Sequence, residues 1–334
     1  MVRVSRSDGR AVIEGVERLG WGEGRENTFV GALTVLAHAL GDEAHYDFLM
    51  GVSGAAFRVQ LCQPEWCPSA PDAGCGFQCD AAATAALGYV TETMFASVED
   101  AGQMRQVREA VVHSIDQGHP VIALDLVKSA DYGVIVGYAD AGETFLCRSY
   151  WDTTEEYARA EKWPWAIVFI RERRTPPTRP DLIRRSLEQA VMLATTERFD
   201  TYLSGFGAYE TWAQQLLEDS RFGPDRLQQT AQANAWSYIS LMDCRAAASR
   251  YLSAIADEFP ATRAQRLLEA ADLYGQVIGV LGDTQGMVPF PLQLGEKAAY
   301  PIDQRQAEAE TLRKALGLER QAILEIEQAL ATVH

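Results

Sequence analysis

Residues 174–180 (RTPPTRP) constrain this fold more than any other stretch. Proline lacks a backbone N–H and drives the residue before it out of the helical region, so neither helix nor sheet passes through. The hydrophobic period differs on the two sides. Before the prolines, residues 120–126, 132–138, 144–148 and 165–171 are short, β-branched and aromatic runs bounded by turns, which reads as strands. Asp140-Ala141-Gly142 sits where a hairpin turn is expected. Ahead of these strands, residues 28–40 carry Phe29, Leu33, Leu36 and Leu40 at helical spacing and are closed by Gly41. Further helices are predicted over 46–51, 80–87 and 100–117, the last with Met104, Val107, Val111 and Ile115 on one face. Residues 55–61 suit a strand, and 62–76 read as an irregular loop punctuated by prolines.

After the prolines the pattern is almost wholly helical. Asp181 is the expected N-cap of a helix with Ile183, Leu187, Ala190 or Val191, and Ala194 on its face. Helices over 209–217, 224–259, 261–281 and 307–330 follow, with a long break at 282–301 that carries Phe290 between two prolines. The expected class is α+β: a domain over 1–172 built on an antiparallel sheet, a proline-rich linker over 173–180, and an all-α bundle over 181–334.

The charge balance limits the partners. With 46 acidic residues against 30 basic ones, the net charge is −16. That balance repels nucleic acid and anionic membrane surfaces. The one dense basic run, 171–174 (RERR), reads as a linker edge. No run approaches the roughly 20 apolar residues that span a bilayer. Residues 1–17 lack the apolar core of a secretory signal, so a cytoplasmic protein is expected. In that setting the six cysteines are expected as reduced thiols.

Candidate chemistry is sparse. The loop CQPEWCPSAPDAGCGFQC (62–79) spaces its cysteines as C-x4-C, x7, C-x3-C, which does not match the short knuckles of a structural zinc site. No metal or cofactor is expected. The stretch 50–61 (MGVSGAAFRVQL) departs from a G-x-S-x-G nucleophile elbow and reads as a tight turn. Arg58 lies in the predicted strand and suits either an anionic ligand group or a buried ion pair. Trp21, Trp66, Tyr150, Trp151, Trp163 and Trp165 supply aromatic surface for a ligand site or for a core.

Several stretches carry a family resemblance: ENTFVGAL, YDFLMGVSGAAFR, WCPSAPD, then GHPVIALDLV, YGVIVGYADAGETFLCRSYW and GAYETWAQQLL. Together they are similar to the butirosin biosynthesis protein H family, and more distantly to bacteriocin-processing papain-like peptidases. The resemblance covers most of the chain and implies a papain-like first domain. In the peptidases a cysteine thiolate stands at a helix head and a histidine takes its proton. By that resemblance the cysteine corresponds to Thr28, the histidine to Asp131 or Tyr132, and the orienting aspartate lies near Asp152. Only the aspartate is kept. None of the five histidines falls between Asp131 and Asp152.

The expected function is therefore a non-peptidase papain-like protein. It would bind a small-molecule or peptide-like ligand in an interdomain cleft, in secondary-metabolite biosynthesis or its regulation. The expected ligand residues are Asn27, Thr28, Arg58, Trp66, Tyr132, Tyr150, Trp151 and Asp152. Two alternatives stand beside it. One is an acyltransferase or amide-bond enzyme using a cysteine of the 62–79 loop or Cys147, with His45 or His119. The other is a protein-interaction scaffold. The sequence leaves a homo-oligomer open.

Overall fold

The structure is a computed structural model that describes residues 3–95, 97–288 and 299–331. In chain order its elements are β1 (Val4–Ser7), β2 (Arg10–Ile13), α1 (Thr28–Ala39), α2 (Tyr46–Val52), β3 (Gln60–Cys62), α3 (Cys79–Ala86), β4 (Tyr89–Phe95) and α4 (Ala101–Asp116). There follow β5 (Val121–Leu124), β6 (Tyr132–Ala139), β7 (Thr144–Arg148), β8 (Ala158–Arg159) and β9 (Ala166–Arg173). The remainder is α5 (Arg179–Thr195), β10 (Arg198–Phe199), β11 (Tyr202–Ser204), α6 (Gly205–Gln215), α7 (Leu227–Ala256), α8 (Ala261–Gln285) and α9 (Ile302–Ala331). The protein is thus mixed helix and antiparallel sheet, with a helical C-terminal part.

These elements form two compact units, one of Met1–Leu49 with Ala83–Pro177, the other of Met50–Ala82 with Thr178–His334. This division differs from the expected contiguous 1–172 domain in that 50–82 group with the helices. The reason is packing within the second unit. Gly51 lies against the Tyr251 ring, where an added Cβ would come within 2.3 Å of a ring carbon. The boundary at 177/178 does fall inside the predicted linker.

The first unit is built on an eight-stranded antiparallel sheet ordered β1-β2-β6-β5-β9-β4, with β7 on β6 and β8 on β7. Strands β5 and β6 are apolar along almost their whole length and buried throughout except at Tyr138. A continuous apolar run of this kind belongs to strands covered on both faces. Helix α1 packs on β5 and β6, and α4 packs on β2, β4, β5 and β6. Nine consecutive residues of α1, Phe29 to Ala37, are buried. Asp100 caps α4 through the N–H groups of Gly102 and Gln103.

The second unit packs α8 against both α7 and α9, with α5 and α6 against α9. A short sheet ordered β10-β11-β3 adjoins them. Its core centres on Trp212, Tyr209, Tyr238, Leu281 and Leu312.

Local differences from the sequence reading have local causes. The predicted strand 55–61 shortens to β3, because Gly54 is left-handed at φ 81° and Ala55–Phe57 form a 3-10 turn. The N-cap of α5 is Thr178, whose hydroxyl accepts the Asp181 N–H at 3.3 Å, so the helix begins before Asp181. Helix α8 runs on to Gln285, past the predicted break at 282. Phe290 lies outside the described residues.

Candidate functional site

Seven of the nine sequence-predicted site residues lie in the first unit. The head of α1 is fixed by Asn27, which is 6% exposed. Its side-chain oxygen accepts the Val30 N–H at 3.1 Å, and its own N–H donates to the Tyr46 hydroxyl at 2.9 Å. That is an N-cap, which gives Asn27 a structural role at the helix head. Thr28, the first residue of α1, is half-buried. Its Oγ1 accepts the Tyr132 N–H at 3.2 Å, which ties the helix head to the first residue of β6. The Tyr132 ring meets Phe29 edge-on, with centroids 5.1 Å apart.

Asp131 immediately precedes β6. Its Oδ2 accepts the Trp151 Nε1–H at 3.0 Å and is also bonded by the Ser129 hydroxyl. Burial pushes the Asp131 carboxyl above its ordinary range, and the two hydrogen bonds pull the other way. The Trp151 ring is further flanked by Trp21, at 6.3 Å between centroids, and by the Lys128 ammonium at 5.0 Å. Trp21 also leans on Tyr150 at 4.6 Å, and the Tyr150 hydroxyl donates to the Arg25 carbonyl at 2.6 Å. A carboxylate, a hydroxyl and two indoles thus converge between the head of α1 and the start of β6.

Asp152 stands apart from this convergence. Its Oδ1 accepts from the Ser149 N–H and hydroxyl at 3.1 and 3.0 Å, and its Oδ2 faces Arg148 Nη1 at 3.3 Å. The pair is nearly inaccessible, with side-chain exposures of 1% for Asp152 and 5% for Arg148. Arg148 also donates to the carbonyls of Val16, Glu155 and Glu156. Asp152 therefore organises a loop, its carboxylate held by Ser149 and Arg148.

The other two predicted residues, Arg58 and Trp66, belong to the second unit and do internal work. Arg58 Nη1 donates to the Cys75 and Phe77 carbonyls at 3.1 and 3.0 Å, and Nη2 to those of Pro71 and Asp72 at 2.5 and 2.8 Å. Trp66 is 3% exposed and donates to Gln215 Oε1 at 2.8 Å. A small, open cavity of about 20 Å³ in this unit is lined by Arg58, Gln60, Trp212, Ser237, Ser240 and Cys244, among others.

Nucleophilic chemistry at the buried Cys147 and Cys244 finds little support. Cys147 has no exposed surface, and burial pushes its thiol up to about 12; Cys244, also buried, is pushed up to about 12 for the same reason. A thiolate is the nucleophile, so neither thiol attacks a substrate near neutral pH. His45 and His119 are exposed. His38 is engaged by Glu17 and by the Ala44 carbonyl. Among the described residues no group of three or more His, Cys, Asp or Glu side chains is placed to hold a metal ion. No helix among them is long and apolar enough to cross a membrane.

Sequence reasoning missed Ser129, Lys128 and Arg148. Ser129 had one available signal: it stands two residues before Asp131, the spacing at which a hydroxyl reaches a neighbouring carboxylate within a turn. No family model matches this chain, and no curated protein matches it significantly.

Proposed function

We propose that the first unit is a non-hydrolytic papain-like domain that binds a small-molecule or peptide-like ligand on the face bounded by Thr28, Asp131, Tyr132 and Trp151. The observation that carries this reading is the hydrogen bond from the Tyr132 N–H to Thr28 Oγ1. It keeps a helix head beside a strand start, and in this reading the Thr28 hydroxyl and the Asp131 carboxylate stand for the thiol and imidazole of a papain-type site. A threonine hydroxyl needs a base to act as a nucleophile. Here it accepts a backbone proton instead, which suits binding. The adjoining indoles of Trp21 and Trp151 supply the apolar walls that a ligand site uses around a few polar groups. A role in secondary-metabolite biosynthesis or its regulation is part of this proposal and rests on the resemblance noted above alone.

The test is a binding screen of the full chain by tryptophan fluorescence and calorimetry, with short peptides and small polar metabolites as probes. A saturable ligand whose affinity drops at least tenfold in both Asp131→Asn and Trp151→Phe supports the reading. Binding untouched by either change, or turnover of a peptide or ester probe that Thr28→Val abolishes, overturns it.

A further inference from the structure

The loop of residues 62–79 is folded back on itself by three tight turns. The Ala70 N–H donates to the Cys67 carbonyl at 3.1 Å, Asp72 to Ser69 at 2.9 Å, and Cys75 to Asp72 at 3.1 Å. Arg58 grips four carbonyls of this loop, and Gln60 Nε2 donates to the Cys75 carbonyl at 3.0 Å. The Gln60 Oε1 accepts the Phe77 N–H at 2.9 Å. The loop is therefore held in one compact shape by side chains from outside it.

That shape gathers sulfur. Cys67 Sγ lies 2.9 Å from Ser69 Oγ. The Cys75 thiol neighbours Tyr202 and the same Ser69, whose hydroxyls oppose the rise that burial imposes on it. Cys62 faces Tyr202 directly across the β3–β11 pairing. These three thiols are partly exposed, whereas Cys79, Cys147 and Cys244 are buried. Cys67 and Cys75 thus share Ser69 as a neighbour on one folded loop.

We propose that Cys67 and Cys75 are a reversible dithiol–disulfide pair, oxidised by a low-molecular-weight disulfide. In the first step the Cys67 thiolate attacks one sulfur of the reagent, forming a mixed disulfide and expelling one reagent thiolate. In the second the Cys75 thiolate attacks Cys67 Sγ, forming the Cys67–Cys75 bond and expelling the second. The protein loses two electrons and two protons, and the reagent is reduced to two thiols. Ser69 and Tyr202 lose their sulfur partners in the process. Burial raises the Cys75 thiol, so exchange is slow at neutral pH and quickens as pH rises. Ala70 and Pro71, between the two cysteines, line the pocket described above, so oxidation alters its wall.

The test uses the full reduced chain in glutathione buffers of graded potential, followed by alkylation, digestion and mass spectrometry. The expected product is one intramolecular Cys67–Cys75 linkage with native circular dichroism, formed equally in Cys62→Ser. Cys67→Ser and Cys75→Ser should each lose the linkage and instead hold glutathione on the remaining cysteine. Thiols that stay alkylatable in fully oxidised glutathione overturn the proposal. So does a linkage that engages Cys62 in the wild-type chain, or one that forms only in urea.

Discussion

The Asn234 side-chain amide donates to both oxygens of the Glu308 carboxyl at 3.0 Å, and both residues are at most 1% exposed. Trp212 Nε1 donates to Asn234 Oδ1 at 2.6 Å, which fixes the amide so that its NH₂ faces Glu308. The Tyr300 hydroxyl bonds the same carboxyl. These partners are neutral, and burial pushes the Glu308 carboxyl up to about 8.

A pH dependence follows from that shift. The folded chain holds the Glu308 proton to about pH 8, while the unfolded chain releases it near 4.5. Between these values the folded state binds more protons, so this group's contribution to stability falls as pH rises, by at most about 1.4 kcal/mol per pH unit. Glu308→Gln removes that slope. Urea unfolding at pH 5.5 and 8.5 should show the variant gaining on the wild type by a few kcal/mol at the higher pH. Equal differences at the two pH values would contradict the assignment.

Arg245 has no exposed surface and is paired with Glu319, through Nη2 at 2.8 Å among other contacts. Its Nη1 donates to the Ala56 and Arg58 carbonyls at 2.9 and 3.2 Å. Removing one partner strands the other charge in the interior, so Arg245→Met should cost about 3–5 kcal/mol. The double change Arg245→Met with Glu319→Leu should cost less than the sum of the two single changes. A double-mutant cycle by chemical denaturation measures the difference, and strict additivity would refute the pairing.

Gly31 in α1 lies under the Tyr150 hydroxyl, where an added Cβ would stand 2.0 Å from that oxygen. Gly31→Ala must therefore displace Tyr150 from its bond to the Arg25 carbonyl, at a cost of about 1–3 kcal/mol. The next nearest Tyr150 atom is 3.3 Å away, so Tyr150→Phe in the same chain should recover much of the loss. Thermal unfolding of the single and double variants decides this, and absence of rescue would place the clash elsewhere.

Thr28→Val keeps shape but removes the acceptor for the Tyr132 N–H. An unpaired backbone donor at a mostly buried position costs about 1–3 kcal/mol. Thr28→Ser retains the acceptor and should stay close to wild type. Hydrogen exchange at the Tyr132 amide reads the bond directly: faster in Val, unchanged in Ser. Equal rates in both variants would remove this bond from the account.

The sequence spoke clearly where one side of an element meets one environment. Helices α1, α4, α7 and α8 carry their period in the apolar residues themselves, and the central strands announce burial by unbroken apolar runs. The edge strands were silent. β1 (VSRS) is largely exposed, and β4 (YVTETMF) is mostly exposed or half-buried, so their pairing leaves little hydrophobic trace. The allegiance of 50–82 was equally hidden, since Gly51 fits only because Tyr251, two hundred positions on, covers it. At the site, the Asn27 cap was legible from local chemistry. The Thr28–Tyr132 bond was not, because nothing short of the fold brings position 132 to position 28. Arg58 suited a ligand and an internal role equally in sequence, and its engagement by four carbonyls of an irregular loop is visible only in the fold.

The chain passes between its two units at 49/50, 82/83 and 177/178. Neither unit is therefore a piece that can be cut out of the gene as one continuous stretch. A fragment ending after the prolines would carry Arg58 and the cysteine loop without Arg245, Trp212 or Tyr251, and one beginning there would lack β3. Dissection of this protein has to proceed by point substitution or by co-expression of complementary pieces, and a frameshift late in the reading frame would damage structure encoded near its start.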